Sequence, residues 1–71
     1  MNWDIIEGNW RQVKGKLREQ WGDLTDDDFD SIAGRRDQLA GKLQERYGWS
    51  RDEADKQIEA WQNRARDDWF H

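Results

Sequence analysis

The chain has 71 residues, a formal net charge of −4, 34% hydrophobic and 39% charged residues, no Cys, no Pro and one His. That length supports one domain over 1–71, and the lack of Cys excludes a disulfide framework and fits a reducing compartment. No apolar run approaches the roughly 20 residues of a membrane span, and the stretch Met1-Asn2-Trp3-Asp4-Ile5-Ile6-Glu7 lacks the basic and apolar regions of a signal peptide, so a cytoplasmic protein is expected.

A mean hydropathy of −1.41 leans toward disorder. Six Trp lean the other way, because each aromatic side chain buries a large area. A folded, all-helical domain near its stability threshold is expected, with Trp supplying much of the core.

Four helices are predicted. The first, 4–21, opens on Asp4-x-x-Glu7 and carries Trp10, Val13, Leu17 and Trp21 on one stripe at 100° per residue. Gly22 follows where a left-handed C-cap is wanted. The second, 26–33, has Thr25 as N-cap and Asp26, Asp27 and Asp28 in its first turn, where the helix dipole favours anions. It carries Phe29, Ile32 and Ala33 and breaks near Gly34. The third, 35–47, repeats the stripe with Leu39, Leu43 and Tyr47. It ends at Gly48, with Trp49 placed to pack back on the last turn. The fourth, 51–66, starts on the capping box Ser50-Arg51-Asp52-Glu53 and aligns Ala54, Ile58, Trp61, Ala65 and Trp69. Asp67 and Asp68 have the wrong sign for a helix C-terminus, so fraying is expected there. Trp3, Trp69 and Phe70 are expected to form a lid over the core, the alternative being an exposed patch for a partner.

Residues 8–22 and 34–48 are an internal repeat at an offset of 26. Seven of fifteen positions are identical: Gly8/Gly34, Gln12/Gln38, Gly15/Gly41, Lys16/Lys42, Leu17/Leu43, Glu19/Glu45 and Gly22/Gly48. Two helical hairpins related by duplication should pack across each other. The heptad-spaced glycines form a narrow stripe beside the apolar face. Gly inside a helix costs about 1 kcal/mol relative to Ala, so close helix–helix approach is the expected reason for Gly15 and Gly41. A groove for a partner's backbone is the alternative.

Charge is segregated. Segments 8–22 and 34–48 are net +3 and +2, while 23–33 has five Asp and no base. The basic residues Arg11, Lys14, Arg18, Arg35, Arg36, Lys42 and Arg46 form a candidate surface for an anion, a nucleic acid or a protein. The competing reading is that they pair with the chain's own Asp-rich turn or are simply solvated, and the acidic total favours it. Asp26, Asp27, Asp28 and Asp30 lack the alternating ligands, turn Gly and closing Glu of a calcium loop. There is no Cys nucleophile, no phosphate-cradling Gly loop, and a Ser–His pair would need Ser31 or Ser50 to meet the terminal His71. No catalytic residue, cofactor or metal site is expected.

Asn9-Trp10 through Gly15-Lys16, the turn Trp21-Gly22-x-Leu24-Thr25-Asp26-Asp27-Asp28, and Arg36-Asp37-Gln38-Leu39 through Gly41-Lys42-x-Gln44-Glu45-Arg46-Tyr47-Gly48 resemble the CsbD-like family. The resemblance covers nearly the whole chain, with 62–71 matching only loosely. It implies a small four-helix domain of two crossed, orthogonally packed helical hairpins, similar to the SAM-domain arrangement. It implies a setting in the bacterial general stress response, and no catalytic or binding residues to carry over. The expectation is a non-enzymatic stress-response protein, a monomer, without nucleic acid or membrane as partner. The alternatives are a binding module using the basic flank and, from hydrophilicity and Gly content similar to those of hydrophilins, a protectant during water loss.

Overall fold

A computed structural model describes residues 3–64, and every element among them is helical. Their order is α1 Trp3–Gly8, α2 Trp10–Gln20, α3 Asp26–Ile32, α4 Arg36–Tyr47 and α5 Arg51–Arg64. The radius of gyration is 11.2 Å, against about 11 Å for a compact chain of this length, so the Trp content prevails over the hydrophilic composition.

One core runs through the molecule. It contains Ile6, Val13, Leu17, Trp21, Leu24, Phe29, Ile32, Leu39, Ala40, Leu43, Ala54, Ile58 and Trp61, with Trp3, Trp10, Tyr47 and Trp49 packed at its margin. The stripe residues of both repeats therefore face inward, as their spacing predicts. Trp61 is the centre of an aromatic chain: its ring lies 6.1 Å from that of Trp21 and 6.3 Å from that of Trp3. The Trp3 indole N–H also donates to Gln62 Oε1 at 3.2 Å. Trp3 thus lies over the core as expected, whereas Ala65, Trp69, Phe70 and the expected fraying at Asp67 and Asp68 fall outside the described residues.

Local signals set the helix ends. Thr25 N-caps α3 through a reciprocal box: its Oγ1 accepts from Asp28 N–H, and Asp28 Oδ2 accepts from Thr25 N–H. Ser50 Oγ accepts from Glu53 N–H at the start of α5. Gly48 ends α4 in the left-handed conformation, φ 70°, and the Trp49 ring stacks on Tyr47 at 4.5 Å.

Four expectations need correction. The first helix is divided at Asn9, whose φ of −117° and ψ of 30° interrupt it, so the described residues form five helices where four were expected. The Asn9 side chain donates to the Ile5 carbonyl at 2.9 Å, a local bond that competes with helix continuation. Asp4 accordingly sits inside the first turn of α1, which begins at Trp3. Second, Gly22 is not a left-handed cap: α2 is ended by Trp21, at φ −128° and ψ 80°, whose N–H donates to the Leu17 carbonyl. Third, α3 ends at Ile32, one residue short of the expected 33; the break near Gly34 stands as expected, led by Ala33 at φ 48° with Gly34 following at φ 81°. Fourth, the glycine stripe is not a packing seam. A Cβ on Gly8, Gly15 or Gly41 would meet nothing within 4 Å, whereas one on Gly34 would lie 2.7 Å from Glu7 Cα. Only at Gly34 does another helix, α1, need the space.

Candidate functional site

The charged surface is organised around the start of α3. Asp28 is a buried carboxylate, 3% exposed. Its two oxygens receive Arg46 Nε at 2.8 Å and Nη2 at 3.0 Å, a bidentate pair, and Lys42 Nζ lies 3.8 Å away. Burying a lone carboxylate would be costly. Here the Arg46 guanidinium and the Thr25 N–H together hold the Asp28 carboxyl well below the usual carboxylate range, against the opposing effect of burial. The same contact raises the Arg46 pKa above its ordinary value.

The rest of the Asp-rich segment meets α2. Arg18 pairs with Asp26 and holds its guanidinium 5.5 Å from the centre of the Phe29 ring. Lys14 Nζ lies 3.6 Å from Asp30. A second lattice joins the starts of α4 and α5: Arg36 and Arg51 both donate to Asp55 Oδ1, at 3.2 and 3.1 Å, and Arg51 also donates to Asp37 at 3.1 Å.

Five of the seven candidate bases, Lys14, Arg18, Arg36, Lys42 and Arg46, thus meet the chain's own carboxylates. Among the described residues no ion pair holds Arg11 or Arg35. Arg11 lines a shallow cleft of about 350 Å³ with Glu7 and Trp10. Arg35 lines another, of about 370 Å³, with Trp3, Glu7 and Gly34. The two clefts share Glu7.

Sequence reasoning missed the reciprocal half of the α3 cap. The Thr25-x-x-Asp28 spacing, a capping box with Asp in place of Glu, was the signal available for it. It also missed Arg51, whose bridging role no periodicity signals. Among the described residues no group of three His, Asp or Glu side chains could hold a metal ion.

A model of the CsbD-like family matches residues 4–56, which span α1 to the first turns of α5. The chain belongs to the CsbD-like family. It is 55% identical over 69 residues to UPF0337 protein YjbJ of Escherichia coli, covering 97% of this chain and all of that protein. It is 56% identical over 68 residues to UPF0337 protein XAC4007 of Xanthomonas axonopodis, covering 96% and 99%. It is 66% identical over 64 residues to UPF0337 protein msl9551 of Mesorhizobium japonicum, covering 90% and 96%. The CsbD-like match takes in both repeat units, the α3 capping box and every residue of the Asp28–Lys42–Arg46 group. Among the described residues no helix is long and apolar enough to cross a membrane.

Proposed function

We propose that this chain is a non-enzymatic protein of the bacterial general stress response, acting in the cytoplasm through abundance or weak contacts rather than catalysis. Membership of the CsbD-like family carries the reading. The charge pairing supports it: five of the seven bases that would serve an anion site are engaged in holding α2, α3, α4 and α5 together. The core of thirteen buried apolar residues among those described argues against a disordered protectant. In the same reading the domain covers 1–71, and its helices form crossed hairpins like those of SAM domains. In its closed form the chain works as a monomer, with no nucleic-acid or membrane partner. Protein and transcript levels through osmotic, acid and stationary-phase stress test the proposal. Induction under at least one stress is expected, and flat levels through all three refute it.

The second reading is a binding module for a protein or nucleic acid, now reduced to Arg11 and Arg35. A gel shift at low salt that disappears when both are replaced by Glu would favour it.

A further inference from the structure

Two consecutive residues between α3 and α4 occupy the left-handed region, Ala33 at φ 48° and Gly34 at φ 81°. Ala33 is the one non-Gly residue with positive φ among the described residues, a conformation that a Cβ disfavours. The flanking sequence, by contrast, carries one uninterrupted helical register. Phe29, Ile32, Arg36, Leu39 and Leu43 are spaced 3, 4, 3 and 4, the heptad pattern of a single continuous helix. Four of these five are fully buried, divided between two helices that fold back on one another. No Pro interrupts the stretch. The turn therefore holds apart two helices whose sequence is in phase to be one.

We propose that Ala33-Gly34-Arg35 is an exchange hinge, through which two copies of this chain trade their α4–α5 halves. Straightened, α3 and α4 become one helix over 26–47, about 33 Å long. Each α4–α5 unit then packs on α1, α2 and α3 of the other copy. The contacts that join the halves away from the turn re-form between copies: Asp28 with Arg46 and Lys42, Trp61 with Trp3 and Trp21, and Gln20 with Arg64. The occupant is a second copy because only that copy offers the same complementary half. Gly34 keeps the closed form in place, since it accepts φ 81° without strain and is a poor residue for a helix interior.

Gly34→Ala acts on both sides of this balance. In the closed turn its Cβ would lie 2.7 Å from Glu7 Cα at an unfavourable φ, while in the straight helix Ala is preferred. Size-exclusion chromatography with light scattering and circular dichroism read the outcome. The expected result is a helical species of twice 8.6 kDa, dimerising at least about thirtyfold more tightly than wild type, the equivalent of about 2 kcal/mol over two hinges. A folded monomer, or an unfolded chain that never dimerises, overturns the proposal. Charge reversal then identifies exchange. In the Gly34→Ala background, Asp28→Arg and Arg46→Asp each set like charges against one another when alone. Unfolded together and refolded, they restore both pairs only in an exchanged heterodimer. Heterodimer above the statistical share is expected, and a statistical or smaller share refutes exchange.

Discussion

Replacing Asp28 by Asn tests whether the charge lattice holds the fold. Asp28 accepts three bonds: from Thr25 N–H at 3.0 Å and from Arg46 at 2.8 and 3.0 Å. Asn keeps one acceptor oxygen; in the place of Oδ2 it still accepts from Thr25 N–H and Arg46 Nε, but its amide then faces Arg46 Nη2, so one bond is lost and the other two lose their charge. Bonds to charged groups contribute about 1.5–3 kcal/mol each. The lower end applies, because the Arg46 side chain is 45% exposed and water screens it. Burying a neutral Asn also costs less than burying a carboxylate. The net loss is about 2 kcal/mol, large against the few kcal/mol a domain this small is expected to hold. With an m-value of about 1 kcal/mol/M, the urea midpoint falls by about 2 M. Asp30→Asn is the control: its side chain is 72% exposed and faces Lys14 at 3.6 Å, so it shifts stability by no more than about 0.5 kcal/mol. The pH profile separates charge from shape. The folded-state pKa of Asp28 is depressed, so its contribution is complete above the unfolded carboxylate value of about 3.9. It is lost as pH falls below that toward the folded value. The gap between wild type and Asp28→Asn should stay constant from about pH 7 to 5. It should then close by at most about 1.4 kcal/mol per pH unit. Equal midpoints for the two Asn variants, or a gap already closing near neutrality, would refute the reasoning.

Trp61→Ala should cost about 3–5 kcal/mol and abolish the near-ultraviolet circular dichroism, because Trp61 joins Trp3 and Trp21 at the centre of the core. Trp21→Phe should lose less than about 1 kcal/mol in urea melts. Among the described residues the buried indole N–H of Trp21 has no acceptor, and removing an unsatisfied donor offsets the lost volume. Gly15→Ala and Gly41→Ala should each raise stability by about 0.5–1 kcal/mol, since their added Cβ meets nothing. Gly48→Ala, at φ 70°, should lower it by about 1 kcal/mol; a loss at Gly15 or Gly41 would restore the packing explanation of the stripe.

The buried residues were legible in the sequence because burial follows helical period: Val13, Leu17, Leu39, Leu43, Ala54, Ile58 and Trp61 all face the core as their spacing predicts. Caps were legible where one side chain or one φ decides them, as at Thr25 and Gly48. The division at Asn9 was not, because a stripe continues across a local side-chain bond without recording it. The glycines misled for a related reason. Heptad spacing shows that Gly8, Gly15 and Gly22 share a face, but not whether anything approaches that face. The basic flank was half legible. A helical wheel places Lys42 and Arg46 beside the apolar stripe, yet only the fold brings Asp28 beside α4 to meet them.

The same comparison explains how a duplicated helix became two different ones. Of the identical pairs, Leu17 and Leu43 build the core that each copy shares. Positions that differ join the copies to their surroundings. Gln20 and Arg46 are equivalent, and each is engaged elsewhere: Gln20 accepts from Arg64 at the end of α5, and Arg46 grips Asp28 at the start of α3. The equivalent of Asp28 is Ala54, a core residue with no side-chain charge to engage. If both copies had kept an Asp–Arg pair, a second buried carboxylate would have to be neutralised where Ala54 now packs. Trp21 and Tyr47 diverge in the same way. Trp21 is buried against Trp61, whereas Tyr47 is half-buried, stacks on Trp49 and accepts from Asp23 N–H through its hydroxyl at 3.5 Å. Residues that broke the repeat, Gln20 and Arg46 among them, thus help to fasten its two halves, each half supplying what the other lacks. That complementarity holds whether the other half belongs to the same chain or to a second copy, and the turn at Ala33 and Gly34 is what selects between them.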